Sequence, residues 1–191
     1  MDMSSALTVQ PTNKEIKLSV YDMLVSKTDI AGTITYANSK FMKVSGYKGS
    51  ELMGSPHSIV RHPDMPKAIF FMMFKRLKQG KSFLSVIKNM SKNGDHYWVT
   101  TDFSIQRDRD GNIVSFMSFR EAAPKSVVQE IEILYSKMLE IEKSVDMEAS
   151  LAYFDLFFEK KDTTYDEYIK ELAKPKSFAA MFFSKLLYFF R

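Results

Sequence analysis

The sequence predicts an α+β domain in which helices lie against one face of an antiparallel sheet. Two short runs with alternating apolar residues come first, helical periodicity follows up to Gly80, and three further alternating runs come last. The dipeptides Asn93-Gly94 and Asp110-Gly111 separate those last runs and are strong hairpin signals. Strands and helices that are segregated along the chain in this order are typical of the α+β class.

The strands are predicted at residues 21–28, 33–38, 82–88, 96–106 and 113–120. Gly32 supplies the permissive turn position between the first two strands. Residues 1–20 mix polar and apolar types without a strong period, so we expect a tail that ends in a short helix.

Helices are predicted between the first hairpin and the last three strands. Asn38 is a residue type that caps helix N-termini, and Gly46 is a natural helix terminator. Residues 48–64 contain two glycines and two prolines, which predict single helical turns. A longer helix is expected to begin at Asp64 as its cap and to end at Gly80.

A helical extension is predicted over residues 122–173. Ser126 and Gln129 have the spacing of a capping box, and a second box, Thr164 with Glu167, precedes the last helix of the extension. Apolar residues then recur at heptad-like spacing over 126–145, and this seam is made of Val127, Ile131, Leu134, Met138, Ile141 and Val145. A helix packed on its own neighbour and a helix packed on a dimer partner explain the seam equally well.

The segment 174–191 is predicted to be an amphipathic basic helix. It carries Lys174, Lys176, Lys185 and Arg191 and no acidic residue, so it accounts for the whole net charge of +4. It is too short to span a bilayer, and it suits a membrane interface, a groove on a partner, or the domain's own core. The charge favours an anionic membrane surface.

Composition excludes several functions. The 191 residues contain no cysteine, which excludes disulfides, thiolate metal sites, cysteine nucleophiles and a cysteinyl flavin adduct. Motifs of nucleotide hydrolases, serine hydrolases and kinases are missing, so we do not expect an enzyme. Charges within 1–171 are too interspersed for nucleic-acid binding. The N-terminus lacks a secretory pattern, which predicts a cytoplasmic protein.

Two runs of residues resemble a known family. RHPDMPKA at 61–68 and KNGDHYWV at 92–99 lie in a region, about 21–121, that is similar to the PAS domain of the aerotaxis receptor (Aer) family. In layout the chain is most similar to the stand-alone, CetB-like energy-taxis PAS proteins of that family. The resemblance implies the PAS fold: a five-stranded antiparallel sheet with helices on one side.

The resemblance also implies a function. Such a PAS domain binds FAD noncovalently and relays the redox state of the flavin, by protein contact, to a membrane-bound methyl-accepting chemotaxis transducer. It implies a redox or energy-taxis sensor without a catalytic cycle, and self-association as a homodimer, for which the heptad-like seam offers a surface. A location at the inner face of the membrane follows if 174–191 contacts lipid.

Candidate cofactor residues follow from the matched positions. Residues matching Arg61, His62 and Asp64 are associated with flavin retention in the family, and an Arg guanidinium suits a pyrophosphate. Asn89 matches an Asn that faces the pyrimidine edge of flavin in related domains. Asn38 is a further candidate, although its capping role is sufficient by itself. Asp64 serves equally well as a helix cap, Arg61 as a solvated charge, His62 as a structural imidazole and Asn89 as an outward strand residue.

Two aromatic residues complete the candidate site. Trp98, the only tryptophan, is able to stack near a cofactor or to fill the core. Phe83 stands where the family pattern has a tryptophan; it keeps a stacking face but loses the indole donor. Two alternatives remain open on this fold: a haem-binding gas sensor with His57, His62 or His96 as axial ligand, and a cofactor-free dimerisation or adaptor module.

Overall fold

The computed structural model describes residues 9–174, and its core is a five-stranded antiparallel sheet. The strand order is β2-β1-β5-β4-β3. The strands are β1 (Leu24–Asp29), β2 (Ile34–Ala37), β3 (Ser85–Met90), β4 (His96–Arg107) and β5 (Ile113–Ala122). The sheet and the helices that flank it confirm the predicted fold class.

The turns of the sheet form where the sequence predicts them. Gly32, Gly94 and Gly111 have φ angles of 92°, 91° and 85°. Residues other than glycine rarely adopt φ angles in this region. Because alternate residues of a strand point to opposite faces, each strand sends one set of side chains toward the helices that follow β2. We call this side of the sheet the cavity face and the opposite side the outer face.

Three helices lie between β2 and β3: α1 (Ser39–Ser45), α2 (Gly49–Leu52) and α3 (Lys67–Lys78), with a 3-10 turn at His57–Val60. Asn38 caps α1 by accepting a hydrogen bond from the Phe41 amide, as predicted. The prediction that Asp64 caps α3 is wrong, because Pro66 occupies the N-cap position and offers no side-chain acceptor. The carboxylate of Glu142, far away in sequence, satisfies the first amides of α3 instead.

The helical extension comprises α4 (Lys125–Ser144), α5 (Met147–Lys160) and α6 (Tyr165–Ala173). Thr164 and Glu167 form the predicted capping box. The box predicted at Ser126 is wrong: α4 begins one residue earlier, after Pro124, and the Ser126 hydroxyl donates to the Leu172 carbonyl. The first four seam residues, Val127, Ile131, Leu134 and Met138, are buried within the chain itself.

The seam is therefore occupied by the chain's own helices and strands over most of its length. Only Val145, at its end, is largely exposed. Of the two interpretations that the sequence left open, the structure supports a helix packed on its neighbours. The seam offers little surface to a dimer partner.

Residues 9–20 run along the β3–β4 turn in an extended conformation, without the short helix predicted for this tail. The Thr12 amide donates to the Gly94 carbonyl, and the Ile16 amide donates to the His96 carbonyl. A Cβ atom at Gly94 would lie 2.1 Å from the Gln10 carbonyl oxygen. This close approach favours glycine at position 94 for a second reason.

The predicted helix over 174–191 lies outside the described residues, apart from Lys174. Within 9–174, none of the helices is both long and apolar enough to cross a membrane.

Candidate functional site

A cavity of about 150 Å³ lies between the cavity face of the sheet and α3. Its lining is mainly apolar, with a few polar side chains. The lining residues include two phenylalanines of α3, Phe70 and Phe74, and four polar residues, Arg61, His57, Asn89 and Arg120.

The period of the strands explains which side chains reach the cavity. On β5, Phe116, Ser118 and Arg120 are two residues apart and all line it, and on β3 Ile87 and Asn89 do the same. On the helical side α3 contributes Phe70, Met73, Phe74 and Leu77, which follow each other at three- and four-residue spacing. One helix and two strands therefore position most of the site.

A buried polar network surrounds Arg120 at one end of the cavity. Nη1 of Arg120 donates to Oγ of Ser26 (2.9 Å), and its Nη2 donates to Nε2 of His57 (2.8 Å). Ser26 Oγ lies 3.0 Å from both His57 Nε2 and Ser118 Oγ. Since an arginine can only donate, Nε2 of His57 accepts, and the His57 ring is neutral.

Burial controls the electrostatics of this network. Arg120 is 3% exposed, and burial lowers its pKa to about 10, so the guanidinium remains charged at neutral pH. Burial, and then the nearby charge of Arg120, lower the pKa of His57 well below its usual value. A positive charge is thus held beside the cavity, and no carboxylate of residues 9–174 forms an ion pair with it.

Three polar side chains that line the cavity keep an unpaired nitrogen. Nε of Arg61, Nδ2 of Asn89 and Nε of Arg120 are buried and have no hydrogen-bond partner among the described residues. Leaving a buried donor unpaired costs about 1 to 3 kcal/mol. Three such donors around one cavity are the arrangement expected where a polar ligand completes the hydrogen bonding.

The fold brings Arg61 and Asn89 together. Their backbones form an antiparallel bridge, which places the segment after the 3-10 turn against the free edge of β3. The guanidinium of Arg61 lies 3.9 Å from the centre of the Phe70 ring, an arrangement in which the ring face attracts the cation. Burial lowers the pKa of Arg61.

His62, Asp64 and Trp98 do not line the cavity. Nδ1 of His62 accepts from the Asp64 amide (3.1 Å), and the ring is 1% exposed. Asp64 forms an ion pair with Lys88 (2.6 Å), whose ammonium lies 5.7 Å from the Trp98 ring. These residues form a polar cluster next to the outer face of the sheet.

Phe83 and Asn38 also lie away from the cavity. Phe83 is buried and stacks on Tyr165 of α6, with ring centres 5.4 Å apart. Asn38 uses both side-chain heteroatoms in the fold: its Oδ1 accepts from the Val25 and Phe41 amides, and its Nδ2 donates to the Met23 carbonyl. The capping interpretation of Asn38 accounts for these bonds.

The sequence alone does not predict that His57 and Arg120 are partners in one network. From the sequence, His57 is a candidate haem ligand and Arg120 is the end of a strand. A signal was present, since Phe116, Ser118 and Arg120 are two residues apart on a strand whose alternate positions are apolar or small. An arginine on the apolar side of a strand indicates a buried cation that needs polar neighbours.

Comparison with known proteins places the central region in a family. Residues 34–120 match the family model described as the PAS fold. The chain is 42% identical over 127 residues to the aerotaxis receptor of Escherichia coli (strain K12), which is 66% of this chain and 25% of that protein. It is 27% identical over 120 residues, 62% of this chain, to the biofilm dispersion protein BdlA of Pseudomonas aeruginosa, and covers 28% of it. The chain thus spans about a quarter of the length of these relatives.

A solved structure supports the same fold. A light-oxygen-voltage domain, studied with a flavin analogue, superposes with a TM-score of 0.51 at 22% identity over 57% of this chain and 82% of its own. At this identity the likeness concerns the fold alone. Together with the five-stranded sheet and the matched region, these findings show that residues 34–120 form a PAS domain of the aerotaxis receptor family.

Proposed function

We propose that the PAS domain binds the flavin of FAD in the cavity and that the chain relays its redox state to a chemotaxis transducer. The observation that carries the proposal is the set of three unpaired buried nitrogens, on Arg61, Asn89 and Arg120, around one mainly apolar cavity. A planar ring with polar edges fits such a lining, because its faces pack on apolar side chains and its edges accept hydrogen bonds.

The size of the cavity bears on how such a ligand is held. Cavities that enclose a whole drug-sized ligand measure roughly 300 to 1,000 Å³, whereas this one measures about 150 Å³. We infer that the ring end enters and the phosphates stay near the surface. Arg61 is half-buried, so its guanidinium is able to reach a phosphate from the site.

Each polar residue then has a defined part. The Asn89 carboxamide offers a donor and an acceptor to the polar edge of the ring. Arg120 holds a positive charge near the cavity, which favours a ligand that becomes more negative on reduction. Neutral His57 accepts from Arg120 and keeps the guanidinium in place. A bound flavin supplies reversible electron transfer, which this chain's own side chains do not offer.

Similarity to two relatives supports the proposed relay to a chemotaxis transducer. One relative is an aerotaxis receptor and another is a biofilm dispersion protein. We propose a membrane-bound methyl-accepting transducer as the partner of this chain, and a sensor without catalytic activity. His62, Asp64 and Trp98 support the site from outside the cavity, through the segment that carries Arg61.

The test is a visible spectrum and an FAD titration of the purified full chain. We expect a two-banded flavin spectrum, and quenching of FAD fluorescence when FAD is added to protein from which the flavin has been removed. Arg61→Ala should weaken binding, while Arg109→Ala, at an exposed turn, should not. A Soret band would indicate haem instead, and a colourless protein that takes up no flavin would overturn the proposal.

A further inference from the structure

The helical extension, α4 to α6, is attached to two of the elements that line the cavity, β3 and α3. It contacts the edge strand β3 and the N-terminus of α3 through hydrogen bonds and an ion pair. These contacts are separate from the covalent connection through β5. They give the extension a second route to the cavity.

The first attachment is a closed ring of hydrogen bonds at Val86 in β3. The Val86 amide donates to the Tyr165 hydroxyl (3.1 Å), and the Tyr135 hydroxyl donates to the Val86 carbonyl (2.9 Å). The two hydroxyls lie 2.6 Å apart. Because the single hydroxyl proton of Tyr135 already goes to the Val86 carbonyl, Tyr165 is the donor of this bond and Tyr135 the acceptor. An amide and a carbonyl on the free edge of the sheet are thereby satisfied by side chains of α4 and α6.

Burial keeps this ring intact. Burial raises the pKa of Tyr165 to about 12 and raises that of Tyr135 well above its usual value, so both hydroxyls keep their protons at neutral pH. The ring of Tyr165 also stacks on Phe83, at the start of β3.

The second attachment is an ion pair at Lys88, two residues further along β3. Its ammonium pairs with Asp64 at 2.6 Å and lies 3.7 Å from the Glu132 carboxylate of α4. The Lys88 side chain is 9% exposed, whereas the Asp64 and Glu132 side chains are more than half exposed, so solvent still screens the attraction on the carboxylate side. Lys88 therefore joins α4, β3 and the segment just after Arg61.

The third attachment is Glu142, near the end of α4. Its two carboxylate oxygens accept from the amides of Lys67 (2.9 Å) and Ala68 (2.8 Å), the first residues of α3. Proline at the N-cap offers no side-chain acceptor to these amides. Because helix N-termini favour negative charge, a residue of the extension completes the helix that forms one side of the cavity.

The elements that hold the extension, β3 and α3, also send side chains into the cavity. On β3, Ile87 and Asn89 line the cavity while Val86 and Lys88, which alternate with them, contact the extension. A shift of β3 toward a ligand therefore changes the geometry of the first two attachments, and a shift of α3 changes that of the third. Packed interfaces of this kind tend to switch between discrete arrangements rather than to deform gradually.

We propose that the helical extension is a regulatory element whose docking on β3 and α3 is coupled to ligand binding in the cavity. This inference rests on the proposed function, because it takes FAD as the ligand. Coupling between two sites is reciprocal: if FAD stabilises the docked extension by some factor, docking strengthens FAD binding by the same factor. A variant whose extension undocks therefore binds FAD more weakly, by up to that factor. That reciprocity makes the proposal measurable without the transducer.

The experiment compares matched variants of the full chain by FAD fluorescence titration. Glu142→Ala removes the α3 contact, and Glu140→Ala is its control, since Glu140 is exposed and pairs only with Lys137 of its own helix. Tyr135→Phe opens the hydrogen-bond ring and keeps the aromatic ring, and Tyr168→Phe removes an exposed hydroxyl as its control. We expect FAD to bind about fivefold or more weakly in both test variants than in their controls.

A second readout follows the extension itself. In the wild-type chain, added FAD should slow amide hydrogen exchange in peptides from α4 as well as from β3. If the test variants bind FAD as their controls do, or if exchange in α4 is the same with and without FAD, the coupling is overturned and the proposed function stands. A wild-type chain that binds no FAD would overturn the proposed function, and this inference with it.

Discussion

The cavity lies at one face of β3, and the hydrogen-bond ring of Val86, Tyr135 and Tyr165, which we call the junction, lies at the free edge of the same strand. The two regions treat polar groups in opposite ways. Around the cavity, Arg61, Asn89 and Arg120 each keep a buried nitrogen without a partner. At the junction, the Val86 amide and carbonyl and both tyrosine hydroxyls have partners. The junction is fully hydrogen-bonded, whereas the cavity leaves three buried donors without a partner among residues 9–174.

This contrast indicates how the chain divides stability from function. An unpaired buried donor lowers the stability of the fold, and satisfied ones do not. Buried polar groups of one strand therefore have opposite consequences 3 residues apart, at the Val86 backbone and at the Asn89 side chain. Substitutions at the junction should change unfolding, and through the proposed coupling also ligand binding, whereas substitutions in the cavity should change mainly ligand binding.

The largest effect is expected for the seam of α4. Leu134 is 2% exposed and its neighbour Ile133 is 71% exposed. Leu134→Ala should lower the free energy of unfolding by about 2 to 5 kcal/mol, because it removes buried methyl groups and leaves a cavity. Urea denaturation of the full chain measures the change. Ile133→Ala is the adjacent control and should shift it by no more than about 0.5 kcal/mol.

The next effect concerns the junction itself. Tyr165→Phe keeps the ring that stacks on Phe83 but leaves the buried Val86 amide without its acceptor. The free energy of unfolding should fall by about 1 to 3 kcal/mol, measured by the same denaturation. Tyr168→Phe, whose hydroxyl contacts Glu130 at the surface, should leave it nearly unchanged. Equal losses in the two variants would contradict the role given to Tyr165.

A substitution in the cavity should change FAD affinity more than it changes the free energy of unfolding. The Asn89 side chain forms no hydrogen bond with any residue in 9–174, so Asn89→Ala should change the unfolding of ligand-free protein less than Tyr165→Phe does. FAD affinity should fall about fivefold, the equivalent of one hydrogen bond of about 1 kcal/mol. Isothermal titration gives the affinity. If Asn89→Ala lowered the free energy of unfolding by more than it weakened the free energy of FAD binding, Asn89 would act as the junction residues do.

The smallest effect is a pH dependence at His62. Burial first, and then the charge of Lys88, lower its pKa from 6.5 to about 4. Because the folded state disfavours the charged ring, the contribution of neutral His62 to stability is present above about pH 6.5 and is lost as the pH falls toward 4.

The nearby groups act in both directions on this titration: Asp64 raises the pKa of His62, and His96 lowers it. His62→Asn keeps an acceptor near the Asp64 amide and removes the titration. Urea midpoints measured between about pH 7 and pH 4 should therefore fall less steeply in His62→Asn than in the wild type. Parallel slopes would show that His62 does not titrate in this range.

The sequence was sufficient for the fold because the relevant signals are local. Alternation, the glycine turns and the Asn38 and Thr164 caps depend on residues a few positions apart. The start of α3 was predicted wrongly because its cap, Glu142, is 75 residues away from Lys67. Local capping rules predict Asp64 as the cap of α3, whereas the distant Glu142 carboxylate accepts from its first amides.

The candidate site was predictable only in part for the same reason. Arg61 and Asn89 were found through a resemblance, and the structure places both at the cavity. The pairing of His57 with Arg120 joins residues 63 positions apart, and a sequence pattern does not show which distant side chains meet. Phe83 shows the converse, because its place in the family pattern suggests a cofactor whereas here it packs on Tyr165 of the extension.

The bond from Glu142 to α3 also has a consequence for the order in which the chain folds. During synthesis α3 emerges well before Glu142, and at about 5 to 20 residues per second the interval of 75 residues takes roughly 4 to 15 seconds. For that time the first turn of α3 lacks the carboxylate that satisfies its amides. The first turn of α3 thus waits for α4, and a nascent chain completes its PAS domain only when the element that follows the domain has been made.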